Sequence, residues 1–228
     1  YLLDCEKRIV DQLYKKLVMY KLKSKVEILN LSNEFVVAAF NHEKFLSIEG
    51  AKDELGYTTK YNEDHVLLDP RNKKLGGRII ANLEKLYMSL KKMKLKSSNI
   101  DEYYKLSFEL GIPQSNMDQL QEKLFGIECN FVELNAIDFK KGCYVGQEVI
   151  ARLDTYDKVQ RSVKVLESKS PLVKGAKLTS GSKLAGIVTS PSSLASLDGR
   201  YLSLALVRKA FCKTASVVDS QGISAVVR

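Results

Sequence analysis

The feature that most constrains how this chain folds is a change of texture just past Asp157. From Gln160 onward, short runs of alternating apolar and polar residues recur at close spacing, over 162–166, 183–189, 201–207, 216–219 and 223–227. Most are separated by the turn pairs Lys174-Gly175, Ser180-Gly181, Asp198-Gly199 and Gln221-Gly222. A period of two gives each strand one apolar side, and many short strands bury that side together by curling into a small antiparallel barrel or a sandwich. A C-terminal β-barrel is therefore expected over 157–228, after an α+β region over 1–156.

The first region mixes helical and strand-like periods. Ile9, Val10, Leu13, Tyr14, Leu17 and Tyr20 follow the three-to-four spacing of a helix with one buried stripe, and Asp4 is placed to cap it. A hairpin is expected next, from Val26-Glu27-Ile28-Leu29 and residues 35–40 around a turn at 30–33. Phe45-Leu46-Ser47-Ile48, His65-Val66-Leu67-Leu68 and residues 76–80 read as sheet, with a long polar loop around 50–64. Ser98 or Asn99 caps a helix carrying Ile100, Tyr103, Tyr104, Ser107 and Phe108, which Gly111 and Pro113 stop. Tyr1-Leu2-Leu3-Asp4 reads like the second half of a strand, so the region is expected to be truncated at its start; a signal peptide is neither claimed nor excluded.

The formal charge of +9 is uneven. Residues 1–100 carry 19 basic and 13 acidic side chains, 101–150 carry 4 and 9, and 151–228 carry 13 and 5. Two basic regions flanking an acidic middle suit an anionic partner, either nucleic acid or a polyanionic small molecule, and suit equally a merely solvated lysine-rich surface. Charged residues interrupt every apolar run well short of the roughly 18 residues a membrane helix needs, so no membrane role is expected. Cys5, Cys129, Cys143 and Cys212 are widely separated, with no C-x-x-C pair and no nearby His, so free thiols in a reducing compartment and no metal site are expected. Gly-rich nucleotide motifs are absent, and His42 and His65 fall in unrelated contexts, which leaves ATP, NAD and triad chemistry without support.

One segment concentrates chemistry: Asp138 to Arg152, in which Gly142 and Gly146 bracket Cys143 and Tyr144 before a helical pattern. If Cys143 stands at or just before that helix, the exposed N–H groups together with Lys140 and Lys141 favour its thiolate, as nucleophile or metal ligand. The competing reading is a small buried cysteine in a tight turn, with the lysines solvated. Gln147 and Glu148, in the first helical turn, suit hydrogen bonding to a ligand edge or simple capping.

The run Lys141-Gly142-Cys143-Tyr144-Val145-Gly146-Gln147-Glu148 resembles the K-G-C-Y-x-G-Q-E signature of the YgfZ family, folate-binding relatives of glycine-cleavage T-protein that support iron-sulfur enzymes. Asn130, Leu134, Ile137 and Phe139 are similar to that family's lead-in, Arg152 and Arg161 extend the match, and Leu110-Gly111-Ile112-Pro113 and Asp69-Pro70-Arg71 with Arg78 resemble further stretches. The resemblance implies an α+β region and a C-terminal barrel around a cavity that binds tetrahydrofolate or a derivative. It assigns folate contacts to Arg71, Arg78, Asn130, Gly142, Tyr144, Gly146, Gln147, Glu148 and Arg152, and a reactive role to Cys143 with Lys141. The guanidinium groups suit a carboxylate and the Tyr144 ring suits stacking.

The function it implies is a folate-binding accessory to assembly or repair of iron-sulfur enzymes, including those that modify tRNA. Its partners are reduced folate, iron-sulfur enzymes or assembly proteins and, through the basic flanks, tRNA. The alternative is a tetrahydrofolate-dependent aminomethyltransferase-like transferase, for which the residues supply no evident general base. The cytoplasm is the favoured compartment and the mitochondrial matrix the alternative.

Overall fold

The computed structural model describes every residue except 119, 121–122, 191–193, 196–198, 214–216 and 220. The chain divides into two compact units, Tyr1–Ser97 and Ser98–Arg228.

The first unit is built on a four-stranded antiparallel sheet in the order β1-β4-β3-β2, from β1 (Val36–Phe40), β2 (Thr58–Tyr61), β3 (Asp64–Leu68) and β4 (Gly77–Ala81). Alternation places Val66 and Leu68 of β3 and Ile79 and Ala81 of β4 on the buried face. There they meet Phe45, carried by α2 (His42–Leu46), and Leu86, carried by α3 (Leu83–Lys92). Both helices start on asparagine caps: the Asn41 side chain accepts from the Lys44 N–H at 3.1 Å and that of Asn82 from the Glu84 N–H at 3.0 Å. Gly76, with φ +76°, and Gly77 are required where β4 passes the end of β1, since a Cβ on either would lie 1.9 Å from the Phe40 carbonyl oxygen or 2.6 Å from its ring.

Several expectations fail in this unit: the stretch around 50–64 is no long loop but carries β2 and the start of β3, and residues 1–4 form no strand. Residues 26–29 form no strand; β1 finds its partner in β4, 40 residues on, and Val26 and Leu29 stay exposed. The Phe45 segment is helical, because the Asn41 cap outweighs the strand-like run of apolar residues. The first helix, α1 (Val10–Lys21), forms but buries none of its residues, and Asp4 does not cap it. The Asp4 carboxylate pairs with Arg78, and the helix is entered through a short 3-10 turn at Lys7–Ile9.

The second unit contains α4 (Ile100–Glu109), α5 (Ser115–Asp118), a 3-10 turn at Gly126–Cys129, α6 (Gln147–Thr155) and seven strands. These are β5 (Arg161–Ser168), β6 (Lys177–Ser180), β7 (Lys183–Val188), β8 (Leu194–Ala195), β9 (Tyr201–Arg208), β10 (Val217–Asp219) and β11 (Ser224–Val227). The order β5-β11-β10-β6-β7-β9 closes on itself because β5 also pairs with β9 along its full length. This is the antiparallel barrel expected for the C-terminal part, and the α+β class holds.

β5 and β9 are buried on both faces. Leu166, Ala205 and Val207 point into the barrel, while Val163, Val165, Leu202, Leu204 and Leu206 form an outer cluster with Phe108 of α4. That second layer is why the helices from Ser98 belong to the same compact unit as the barrel. The texture change at 157 marks where α6 gives way to β5 inside this unit, and the division in packing falls after Ser97. Among the described residues no helix is long and apolar enough to cross a membrane.

Candidate functional site

The signature segment is held in place from its upstream side. α4 ends at Gly111, whose φ of +68° lets the Ile112 N–H reach back to the Ser107 carbonyl at 2.9 Å. Asn130, itself left-handed at φ +62°, donates its Nδ2 to the carbonyls of Gly111 at 3.1 Å and Val163 at 2.9 Å. One side-chain amide thereby ties the end of α4 to β5. Two residues earlier, the buried Glu128 accepts from the Phe125 N–H at 3.0 Å and from Nε of Arg161 at 2.7 Å. Asn130 through its Nδ2 and Arg161 through its Nε, both matched to the family pattern, thus bond to the scaffold.

The signature loop then runs exposed to the N-terminus of α6. Gly146, with φ +84°, is the N-cap residue, and the side chain of Gln147 reaches back out of the helix to accept from the Tyr144 N–H at 3.3 Å. Glu148 takes the guanidinium of Arg152 at 2.9 Å one turn on, an exposed pair of modest worth. Cys143 lies three residues before the N-cap and is exposed. The reading of Cys143 as a buried packing residue therefore fails, and the thiol stands in the loop rather than on the first helical turn. Among the described residues no group of three or more His, Cys, Asp or Glu is assembled for a metal ion.

Beneath the loop is a pocket of about 240 Å³ lined mainly by Phe131, Ala136, Ile137, Val145, Ile150 and the ring of Tyr144, with Lys141 and Asp138 also bordering it. The Lys141 ammonium sits 4.8 Å from the centroid of the Tyr144 ring, so one face of that ring already carries a cation. The Tyr144 hydroxyl is buried without a hydrogen-bond partner among the described residues. The Asp138 carboxylate accepts from the Lys140 N–H at 2.8 Å.

The remaining predicted residues, Arg71 and Arg78, belong to the first unit and converge on Asp69. Arg71 donates Nε at 3.0 Å and an Nη at 2.7 Å to its two oxygens, its backbone N–H adds a third bond at 3.0 Å, and Arg78 approaches at 3.4 Å. Burial pushes the Asp69 carboxyl up, but the hydrogen bonds and charge of Arg71, with the charge of Arg78, outweigh it and hold the group below the ordinary carboxylate range. Both guanidinium groups thus serve an internal carboxylate. The pocket was missed from sequence, since Phe131, Ala136 and Val145 carry no chemistry by type and Ile137 stood out only as part of the lead-in pattern.

The fold that carries this loop has a counterpart among solved structures. The chain matches the glycine cleavage system aminomethyltransferase T of Bartonella henselae with a TM-score of 0.72, over 96% of this chain and 65% of that one, at 15% identity. Its fold is that of the aminomethyltransferase T class. In sequence it is similar to the mitochondrial iron-sulfur cluster assembly factor IBA57 homolog of Dictyostelium discoideum, 28% identical over 153 residues that cover 67% of this chain and 37% of that protein. It is also similar to the mitochondrial IBA57 of Mus musculus, 25% identical over 75% of this chain and 46% of that protein, and of Homo sapiens, 23% identical over 67% and 41%. The chain thus spans from 37% to 46% of the length of these relatives. No family model matches it.

Proposed function

We propose that this protein is an accessory factor in mitochondrial iron-sulfur cluster assembly, of the YgfZ and IBA57 kind, with Cys143 as its working thiol. The observation that carries the reading is the exposed cysteine in the signature loop of a chain similar to several IBA57 proteins. The relatives are named as mitochondrial, which favours the matrix over the cytoplasm. The cluster is cargo here: one thiol supplies at most one ligand, so other ligands come from the protein that delivers or receives the cluster. Service to tRNA-modifying iron-sulfur enzymes is part of the same proposal.

Reduced folate is the small ligand that the family resemblance implies, and its fit can be judged at the pocket. About 240 Å³ is below the roughly 300–1,000 Å³ of sites that enclose drug-sized ligands. An opening of that volume does not enclose a whole folate, and no step is assigned to it. Aminomethyl transfer gains no support from a fold match at 15% identity.

The test is complementation. Cells depleted of IBA57 and given the full-length protein in their mitochondria are expected to regain iron-sulfur enzyme activity, and Cys143→Ala is expected to restore none at equal abundance. Full restoration by Cys143→Ala removes the thiol from the proposal; no restoration by the wild type removes the proposal. Calorimetry with tetrahydrofolate and with tRNA side by side tests the two further ligands.

A further inference from the structure

We infer that the pocket beneath Tyr144 is a socket for one large apolar side chain of a protein partner, carried in an acidic segment that Lys140 and Lys141 receive. The inference rests on the proposed assembly role and adds the chemistry of the partner. Size sets the occupant: at about 240 Å³ with an apolar lining, the pocket suits a single Phe-, Leu- or Met-sized group.

The rim points the same way. Val145 is 82% exposed, Phe125 51%, Val149 43%, and Phe131 and Phe139 39% each; all five line the pocket or adjoin a lining residue in sequence. Single exposed apolar residues are ordinary, but two on the pocket wall, Phe131 and Val145, with three more next to lining residues in sequence, favour a contact surface.

Charge selects the flanks. Lys140 and Lys141 are exposed, and neither has an ion pair among the described residues. Of the acids near them in sequence, Glu128 is buried against Arg161, Glu148 is paired with Arg152 and Asp138 accepts from the backbone, while Glu133 is exposed and in no ion pair among the described residues. A carboxylate on the partner therefore finds two unanswered ammonium groups, one of which only has to leave the Tyr144 ring. A nucleic acid is the poorer fit, since an apolar socket offers nothing to phosphates and one stacking face is covered. Cys143 lies between Lys141 and Tyr144 in the loop, so a partner seated here meets loop residues that flank the thiol in sequence.

The test uses the full protein and fluorescein-labelled peptides with a central Phe between Glu flanks, read by anisotropy. Controls replace Phe by Ser or Glu by Lys. The Glu-flanked Phe peptide is expected to bind best, and the loss of Phe, or Ala136→Leu, which fills the pocket from an exposed position, to weaken it about tenfold or more. Lys140→Glu with Lys141→Glu is expected to reverse the preference for acidic flanks. Val145→Glu, at the most exposed rim position, is the second variant should Ala136→Leu fold poorly by circular dichroism.

Equal binding of all the peptides, no binding of any, or no effect of either pocket variant overturns the inference. So does loss of tetrahydrofolate binding in Ala136→Leu, which would make the pocket a folate subsite. In IBA57-depleted cells, restoration by wild type but not by Ala136→Leu supports the inference. Restoration by both overturns it and leaves the assembly reading standing. Failure of the wild type overturns the assembly reading, and the peptides then judge the socket alone.

Discussion

Asp69→Asn tests whether Arg71 and Arg78 serve the fold. The Asp69 side chain is 1% exposed, against 26% for Arg71 and 23% for Arg78. Removing one partner of a fully buried pair costs about 3–5 kcal/mol. Because both guanidinium groups keep some water, we expect roughly 2–3 kcal/mol here. With a urea slope of about 1–3 kcal/mol per molar, the midpoint falls by about 0.7–3 M.

The chain has no tryptophan, so unfolding is followed by far-ultraviolet circular dichroism, with hydrogen exchange at the β3 and β4 amides localising the loss. The pH dependence has a definite sign. The folded carboxyl is held below its ordinary value, so its contribution is fully present above the unfolded value near pH 4 and is lost as pH falls through the folded one. Wild type and variant therefore converge in acid. The double variant Asp69→Asn with Arg71→Gln, which removes both members of the pair, is expected to cost less than the sum of the single changes. A loss under about 0.5 kcal/mol at neutral pH, or a gap that does not narrow in acid, refutes the reasoning and returns the arginines to ligand binding.

Burial pushes the Cys129 thiol up to about 11, helped by the charges of Glu128 and Asp118, so iodoacetamide followed by mass spectrometry is expected to label exposed Cys143 promptly and Cys129 only after unfolding. Asn130→Ala loses both bonds of the clamp and a residue suited to left-handed backbone, at about 2–3 kcal/mol by urea titration; Asn130→Gly recovers the backbone part, and equal losses for the two would deny that part. For Asp118, burial raises the carboxyl above its ordinary value despite the Gln114 N–H, Thr189 and Lys174, so stability is lost as pH rises from the unfolded value through the folded one. Asp118→Asn is expected to flatten that fall and to raise the melting temperature at neutral pH; a lower melting temperature there counts against it.

The barrel was legible because period two, glycine turns and close spacing are local signals, and β5, β7, β9, β10 and β11 lie where they point. The first unit was less so. A strand at 26–29 and one at 45–48 satisfy propensity, but β1 is decided by the β4 backbone far along the chain, and Phe45 by an asparagine cap one turn earlier. α1 shows the converse: its stripe is regular, yet regularity says nothing of what covers it, and here none of its residues is buried.

At the site, the sequence carried the loop and not its surroundings. Glycines and a cysteine are recognisable by type, so Cys143, Gly146 and Gln147 stand out from the residue pattern alone. Arg71, Arg78 and Asn130 stand out equally, but a polar side chain reads the same whether it faces a ligand or a carboxylate and carbonyls of its own chain. The bonds to Asp69, Gly111 and Val163 give all three an internal partner. The pocket inverts the problem: Ala136 and Val145 are silent as residues and acquire meaning only when the Asn130 clamp and the Gly146 cap fold the lead-in against α6. Both anchors can be altered without touching the thiol, so the socket and the cysteine can be tested as separable parts of one surface.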